Sequence, residues 1–375
     1  MYDIITIGTA TRDVFLTSPL FSAIGGSVSG GKVLKYQKYL SKMGFKTGEA
    51  QCFALGGKIE IGKPVLATGG GATNSAVTFS RQGLKTAALI KIGEDQAGKD
   101  ILEELKKEKI DVLKLQTTNY KSRRNIGTPT KTSGLQISNS TAYSTILLAP
   151  GGERTILIYR GASEDLTFKE ISLNRLKSKW AYISSGKISF QVINEIFNYL
   201  HKNKTLIAFN PSKHFIEMGL KKLKPLLKKT KVFILNREEA SYLTGVDYHK
   251  EKEIFKKLDE AVDGIAVMTD GPNGILVSDC CNIYKAGIFS AEGGEKKAID
   301  RTGAGDAFGS GFVAGLIQTR EKCKKGLCGV DNIEYAIRLG SANATSVIEH
   351  IGAKTGILTK KEFEKLKRFK NLSIN

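Results

Sequence analysis

Short apolar runs recur along the chain at 3–8 (DIITIG), 86–93 (TAALIKIG), 180–186 (WAYISSG), 205–210 (TLIAFN), 231–236 (KVFILN) and 264–271 (GIAVMTDG). They read as strands, and the amphipathic stretches between several of them read as helices. The alternation predicts an α/β fold with a mostly parallel central sheet and helices on both faces. Two stretches depart from it. Residues 16–66 are rich in Gly, Ser and Lys with weak periodicity, and residues 141–160 (TAYSTILLAPGGERTILIYR) have the pattern of a β-hairpin turning at Pro150, Gly151, Gly152 and Glu153. Neither fits a βα repeat, so both are assigned to a small β lid within one domain spanning 1–375. The final 16 residues or so read as a helix and tail.

Composition narrows the class. A chain of 375 residues with 41% hydrophobic content can bury a large core. The N-terminus lacks the basic and long apolar segments of a signal peptide, and no apolar run is long enough to span a bilayer, so the expected location is cytoplasmic, away from membranes. Cys52, Cys280, Cys281, Cys323 and Cys328 fit no disulfide framework or zinc spacing, and His201, His214, His249 and His350 are scattered singly. The net charge of +20 comes from lysines spread over helices, with no aromatic-interleaved basic run. A solvated lysine-rich surface is therefore expected, not a nucleic-acid partner.

The chemistry concentrates in DRTGAGDAFGSG, residues 300–311. Glycines before a helix cradle anions, because bare backbone N–H groups and the helix dipole both point at the ligand. No Gly-Lys pair is followed by Ser or Thr in a Walker A context, and Gly303, Gly305 and Gly309 are spaced one residue too long for a dinucleotide fingerprint. That removes a P-loop enzyme and weakens a nicotinamide-dependent oxidoreductase. Ala307, Phe308, Phe312, Val313, Leu316 and Ile317 recur at helical spacing, so a helix starts near Ala304, Asp306 falls in its first turn, and Gly309, Gly311 and Gly315 permit close packing. A lone first-turn acid has a bland explanation worth about 0.3–1 kcal/mol. Beside an anion-binding nest it has a second one: the nest holds the charge of a transferring phosphoryl group while the carboxylate deprotonates the attacking hydroxyl.

With these residues in place, AIDRTGAGDAFGSGFVAGL and TGGGATNSAVTFSRQGLKTAALIKIGEDQAGKDILEELKKEKID resemble the two signatures of the ribokinase-like (PfkB) carbohydrate kinase family. Shorter marks follow in the family's order: Asp13 after the first strand, N-x-x-E at Asn236 and Glu239, T-x-G-x-x-G at Thr269, Gly271 and Gly274, and SANATSVIEHIGA near the C-terminus. The resemblance covers nearly all of the chain except the insertion at about 18–64. It implies ATP-dependent phosphorylation of a sugar hydroxyl, with Asp306 as base and Gly303, Ala304 and Gly305 as anion hole. It further implies that Asp13, Gly70, Gly71 and Asn74 hold the acceptor, that Asn236, Thr269, Gly271, Gly274 and Asn343 serve the nucleotide, and that Glu239 organises Mg2+ indirectly. Asp300 resembles the acid that binds a monovalent cation such as K+ in potassium-activated members.

Taken singly, a turn explains Gly69 to Gly71, a helix N-cap explains Asn74, a strand end explains Asp13 and a first-turn acid explains Glu239. Taken jointly and in order, a shared site explains them better. Asp95 and Gly98 are expected to be structural, Arg301 to face solvent, and the lid to be the place for a homodimer contact. Arg160, at the end of the hairpin, is the specificity candidate. A neutral ribose-type sugar or nucleoside is favoured as acceptor, with a 2-keto-3-deoxygluconate-type acidic sugar as its rival.

Overall fold

All six apolar runs become strands, and their side chains alternate between two covered faces. The structure is a computed structural model that describes residues 1–18, 21, 38–40, 42, 53, 55–113, 115, 140–149, 154–289, 298–322 and 330–375. Its strands are β1 (Tyr2–Gly8), β2 (Thr11–Thr17), β3 (Val65–Gly69), β4 (Thr86–Leu89), β5 (Asp111–Val112), β6 (Ala142–Leu148), β7 (Arg154–Tyr159), β8 (Ser178–Ser184), β9 (Leu206–Asn210), β10 (Val232–Asn236), β11 (Ile265–Thr269), β12 (Ile275–Ser278) and β13 (Ile283–Ala286). The larger sheet has nine strands in the order β13-β12-β11-β10-β9-β8-β1-β4-β5. It is parallel except for β12 and β13, which pair antiparallel at one edge. Residues 279–282 join those two strands, and a connection that short permits only antiparallel pairing.

The main helices are α1 (Gly71–Arg81), α2 (Gln96–Lys107), α3 (Phe190–Lys202), α4 (Lys213–Ile216), α5 (Gly219–Leu227), α6 (Arg237–Thr244), α7 (Glu251–Ala261), α8 (Ala304–Lys322), α9 (Val330–Ile348) and α10 (Lys360–Lys365). Ala181, Ile183, Phe209, Phe233 and Leu235 face one side of the sheet with Ile196, Phe197 and Leu258 of α3 and α7. Trp180, Tyr182, Val232 and Ile234 face the other side with Phe308, Phe312 and Val313 of α8 and Ala336 and Ile337 of α9. Burial on both faces is why these strands read as continuous apolar runs. After α10 the tail returns to the sheet edge, where the Asn375 and Lys285 backbones exchange hydrogen bonds of 3.0 and 2.8 Å.

The smaller sheet runs β3-β2-β6-β7. The hairpin pattern at 141–160 becomes antiparallel β6 and β7, while its turn, 150–153, lies outside the described residues, as does most of 18–64 together with Cys52, Cys323 and Cys328. The sheet begins earlier than the expected residue 16, because β2 starts at Thr11 and carries Asp13 mid-strand, paired with Ala67 and Ser144.

Helix α8 is the element that sets the site, and its glycines determine how deep it sits. A Cβ on Gly315 would lie 2.6 Å from Ala336 Cα, and one on Gly309 would lie 2.5 Å from the Tyr182 hydroxyl. Gly315→Ala therefore sets the propensity gain of about 1 kcal/mol against a backbone clash with α9. The clash should win, destabilising by about 1–3 kcal/mol; a Tm equal to or above that of the unmodified protein would show that α9 yields freely.

Candidate active site

Where α1 and α8 start, loops and strands of both sheets enclose a cavity of about 200 Å³. Of the residues singled out from sequence, Asp13, Gly70, Asn74, Arg160, Gly303 and Asp306 line it. Gly70 precedes α1 with φ +97°, and its missing side chain lets the chain pass Thr9, whose carbonyl oxygen would lie 2.5 Å from a Cβ. This tight start aims the first turn of α1 at α8. Asn74 is inside α1, so an N-cap role does not describe it; its Nδ2 donates to Asp306 Oδ2 at 2.9 Å. The Asn74 Oδ1 is buried with no protein partner, an acceptor left over for a hydroxyl donor in the cavity.

Asp306 occupies the first turn of α8, with Gly303 just before that helix at φ +80°. Burial pushes the Asp306 carboxyl above its ordinary value, the Asn74 hydrogen bond opposes this, nearby Asp13 adds to it, and Lys354 opposes it. A carboxylate desolvated in this way is a stronger base than one in water. Gly305 has nothing within 4 Å of where its Cβ would be, so the face of the loop there is open. Asp300 is fully buried and accepts from the backbone N–H of Thr302 at 2.9 Å and of Gly352 at 3.0 Å, which ties the loop before α8 to the segment after α9.

Asp13 is 5% exposed and accepts from Thr11 Oγ1 at 2.8 Å. Burial raises its pKa, while hydrogen bonds from Thr11 and Ser144 and the charge of Lys354 oppose the rise. Gly69 is needed beside it, because a Cβ there would overlap the Asp13 carboxylate at 1.9 Å. Apolar Ile146, Ile156 and Ile158 of the smaller sheet face the same cavity. Arg160 reaches it too, with its Nε 3.3 Å from Glu164 Oε1, and Lys187 Nζ lies 3.9 Å from the same oxygen.

The remaining candidates lie along the carboxyl ends of β10 and β11. Asn236 caps α6, and its side chain accepts from Glu239 N at 2.8 Å while Glu239 Oε2 accepts from Asn236 N at 2.9 Å. Burial raises the Glu239 pKa. Thr269 ends β11, and Gly271 and Gly274 take φ of +51° and +93° in the turn that follows. Asp270 braces that turn, accepting from Arg237 Nη1 at 2.8 Å and from Tyr248 OH at 2.5 Å.

Asn343 is expected from the family resemblance to serve the nucleotide. It is fully buried, its Nδ2 donating to Ala307 O at 2.8 Å and to Thr78 Oγ1 at 3.2 Å, and its Oδ1 accepting from Leu358 N at 3.0 Å. These three bonds join α8, α1 and the chain before α10. Asp95 and Gly98 are structural as expected, Asp95 capping α2 through Gly98 N at 2.9 Å and holding Thr141 N at 2.8 Å. Arg301 is exposed. Thr9, Ser144, Glu164 and Lys187 were not singled out from sequence. Ser144 was within reach, since alternation along 141–148 places Ala142, Ser144 and Ile146 on one face, but which face meets Asp13 depends on the register of β2 with β6.

Residues 38–126 and 130–360 match the pfkB family carbohydrate kinase profile. The chain belongs to that family. This pfkB carbohydrate kinase is 26% identical over 286 residues to an uncharacterized sugar kinase of Archaeoglobus fulgidus, covering 74% of this chain and 97% of that one. It is 26% identical over 303 residues to a ribokinase of Haemophilus influenzae, covering 79% and 86%. In fold it is similar to a ribokinase from Giardia lamblia, with a TM-score of 0.72 at 19% identity over 97% of this chain and 98% of that one, and to adenosine kinase from Sinorhizobium meliloti, with a TM-score of 0.69 at 19% identity over 97% and 99%. The two-sheet α/β architecture is thus the ribokinase fold, and kinases of this family use ATP. Among the described residues no helix is long and apolar enough to cross a membrane.

The loop before α8 gives a direct test. A Cβ on Gly303 would meet Ala353 Cβ at 2.4 Å and would have to adopt φ +80°. Gly303→Ala should destabilise by about 1–3 kcal/mol and lower turnover; unchanged melting and turnover would show that the loop adjusts without cost.

Proposed function

We propose that this pfkB carbohydrate kinase transfers the γ-phosphoryl group of ATP to a hydroxyl of a neutral sugar or nucleoside of ribose type, with Asp306 as general base. The observation that carries the reading is the Asn74–Asp306 pair in the first turns of α1 and α8, beside the glycine loop that precedes α8. The acceptor hydroxyl donates to Asp306, whose desolvated carboxylate takes its proton as the new O–P bond forms. Asn74 holds that carboxylate in place, and its free Oδ1, together with Asp13, receives other hydroxyls of the acceptor. The backbone N–H groups of Gly303 and Gly305 and the start of α8 are assigned to the charge that develops on the phosphoryl oxygens, with the Ala304 N–H shared with the Arg301 carbonyl at 3.3 Å. Ile146, Ile156 and Ile158 supply an apolar wall that displaces water competing with the acceptor.

Asn236, Thr269, Gly271 and Gly274 are assigned to the nucleotide side, where φ > 0 glycines bring backbone close to a ligand. Glu239 fits a Mg2+ held through water and phosphate, because its partly buried carboxylate has no cationic partner among the described residues and commits Oε2 to the α6 cap. Bound magnesium neutralises phosphate charge. Asp300, with backbone donors on both oxygens, fits a monovalent cation less well, since those N–H groups already occupy the carboxylate.

Arg160 favours the rival acidic sugar only if its charge is free, and it faces Glu164 at 3.3 Å. A neutral acceptor is therefore retained. Arg160→Ala should change KM by less than about tenfold, roughly 1.4 kcal/mol. A larger rise, with a sugar acid preferred over ribose and adenosine, would reassign the substrate.

Asp306→Asn should leave the fold and ATP binding nearly intact while lowering kcat about 10²- to 10⁴-fold. In the unmodified enzyme kcat/KM should fall on acidification with a midpoint above the ordinary aspartate range, because burial raises this carboxyl and protonation removes the base. Near-normal turnover in the variant would return Asp306 to the role of a helix-start acid.

A further inference from the structure

Lys354 is the one lysine among the buried polar and charged side chains of the described residues, at 6% exposure. Its Nζ donates to Thr68 Oγ1 and to Glu104 Oε2, each at 2.6 Å, and Thr68 Oγ1 donates in turn to Glu104 Oε2. The three residues come from separate parts of the molecule: Thr68 from β3 of the smaller sheet, Glu104 from α2, and Lys354 from the segment after α9.

Two corners of this triangle back residues that line the pocket. Thr68 is followed by Gly69, against which the Asp13 carboxylate lies, and then by the glycines that start α1. Lys354 is preceded by Ala353, which packs on Gly303, and by Gly352, whose N–H is bound by Asp300. A displacement of the ammonium would therefore reach the acceptor side through Gly69 and the phosphoryl side through Gly303. Its charge also lies within reach of both carboxylates of the site.

We propose that Lys354 is a positioning residue of this kinase, locking β3, α2 and the Gly303 loop in register and supplying the positive charge that faces Asp13 and Asp306 from behind the pocket. The proposal rests on Asp306 being the base. The groups around the two centres are few. Lys354 is faced by Glu104 and Glu108 of α2 and by Asp13 of β2. Asp306 is faced by Asn74 of α1, Asp13 of β2, Tyr182 of β8 and Lys354 itself. Burial draws the Lys354 ammonium below its ordinary value while Glu104, Asp13 and Glu108 hold it up.

A core ion pair with no part in the site would affect stability alone, so the decisive readout is the titration of Asp306. Aspartate carboxyl carbons labelled with 13C are titrated in the ligand-free protein, with Asp306→Asn and Asp13→Asn assigning the resonances. Removing an ammonium favours the neutral carboxyl, so in Lys354→Met both midpoints should move to higher pH. The double variant Lys354→Met with Glu104→Met leaves no carboxylate unpaired by the loss of the ammonium and should show a smaller move in the same direction with less loss of Tm. With D-ribose as acceptor, or the sugar preferred in a panel, the acidic limb of kcat/KM should move in the same direction and its plateau should fall about tenfold to a hundredfold through misplacement.

Unmoved midpoints in folded variants, with only a lower Tm, overturn the proposal, and so does a failure of both variants to fold, which would make Lys354 a folding element. Because the titration needs neither acceptor nor turnover, these outcomes are separate from near-normal turnover in Asp306→Asn, which would overturn the general-base reading alone.

Discussion

A carboxylate placed at the head of a helix that is otherwise sunk in the core is the constraint from which the site follows. Residues 307–318 of α8 are buried, and they can be because Gly311 and Gly315 let the helix press on α9 at backbone distance and Gly309 leaves room for the Tyr182 and Ile234 side chains of β8 and β10. Such a helix cannot shift to relieve an unfavourable group at its start. The cost of desolvating Asp306 must therefore be met in place, by the Asn74 amide, by the positive end of α8 and by Lys354. Those groups come from α1 and from the segment after α9, which is why both are fixed so tightly around it. Asn343 serves the same end, since its amide binds the Ala307 carbonyl and so clamps the first turn of α8 from behind.

Helix α2 provides the second fixed point. Asp100, Glu104 and Glu108 are spaced four apart and form one acidic stripe. Asp100 pairs with Arg12 of β2 at 2.8 Å, Glu104 with Lys354 at 2.6 Å and Glu108 with Arg81 of α1 at 2.6 Å. With Asp95 holding Thr141 just ahead of β6, one helix anchors the base of three strands of the smaller sheet. Strand β7 is the more exposed one, with Leu157 58% exposed and Ile158 50%. The sheet is thus pinned at the end that carries Asp13 and comparatively unsupported along the strand that carries Ile156 and Ile158. Any closure over an acceptor would pivot at the pinned end, moving the apolar wall while leaving Asp13 in register with Asp306.

What the sequence disclosed follows from how local each determinant is. Parallel strands buried on both faces are legible as apolar runs, and the helix at Ala304 was legible because its periodicity and its glycines lie in one segment. The antiparallel edge of β12 and β13 escaped notice because a βα repeat predicts only parallel partners, although the four residues between them were a usable sign. The partners of Asn343 were hidden for a different reason: a buried Asn and a ligand-binding Asn look identical until the Leu358 and Ala307 backbones are seen beside it. Lys354 left a faint trace, a lysine in the Gly- and Ala-rich stretch HIGAKTGIL. Its partner Glu104 stands 250 residues away, a pairing that periodicity cannot reveal.

The division of labour in the cavity explains why the chemistry could be read further than the substrate. The parts assigned to phosphoryl transfer are backbone N–H groups, a helix start and one carboxylate, all within residues 300–306, and few residue types can build them. The acceptor side is assembled from α1, β2, β6, β7 and the segments after β7 and β8, and its enclosed polar groups are Asp13, Asn74, Ser144 and Ser163. Its other contacts, Ile156, Ile158, Arg160, Glu164 and Lys187, stand at the more open end, where one substitution changes size or charge without disturbing α8 or its supports. Relatives named ribokinase and nucleoside kinase are what such an arrangement allows: the end proposed for phosphoryl transfer is held by core packing that tolerates little change, while the end proposed to meet the acceptor rests on a strand with exposed side chains.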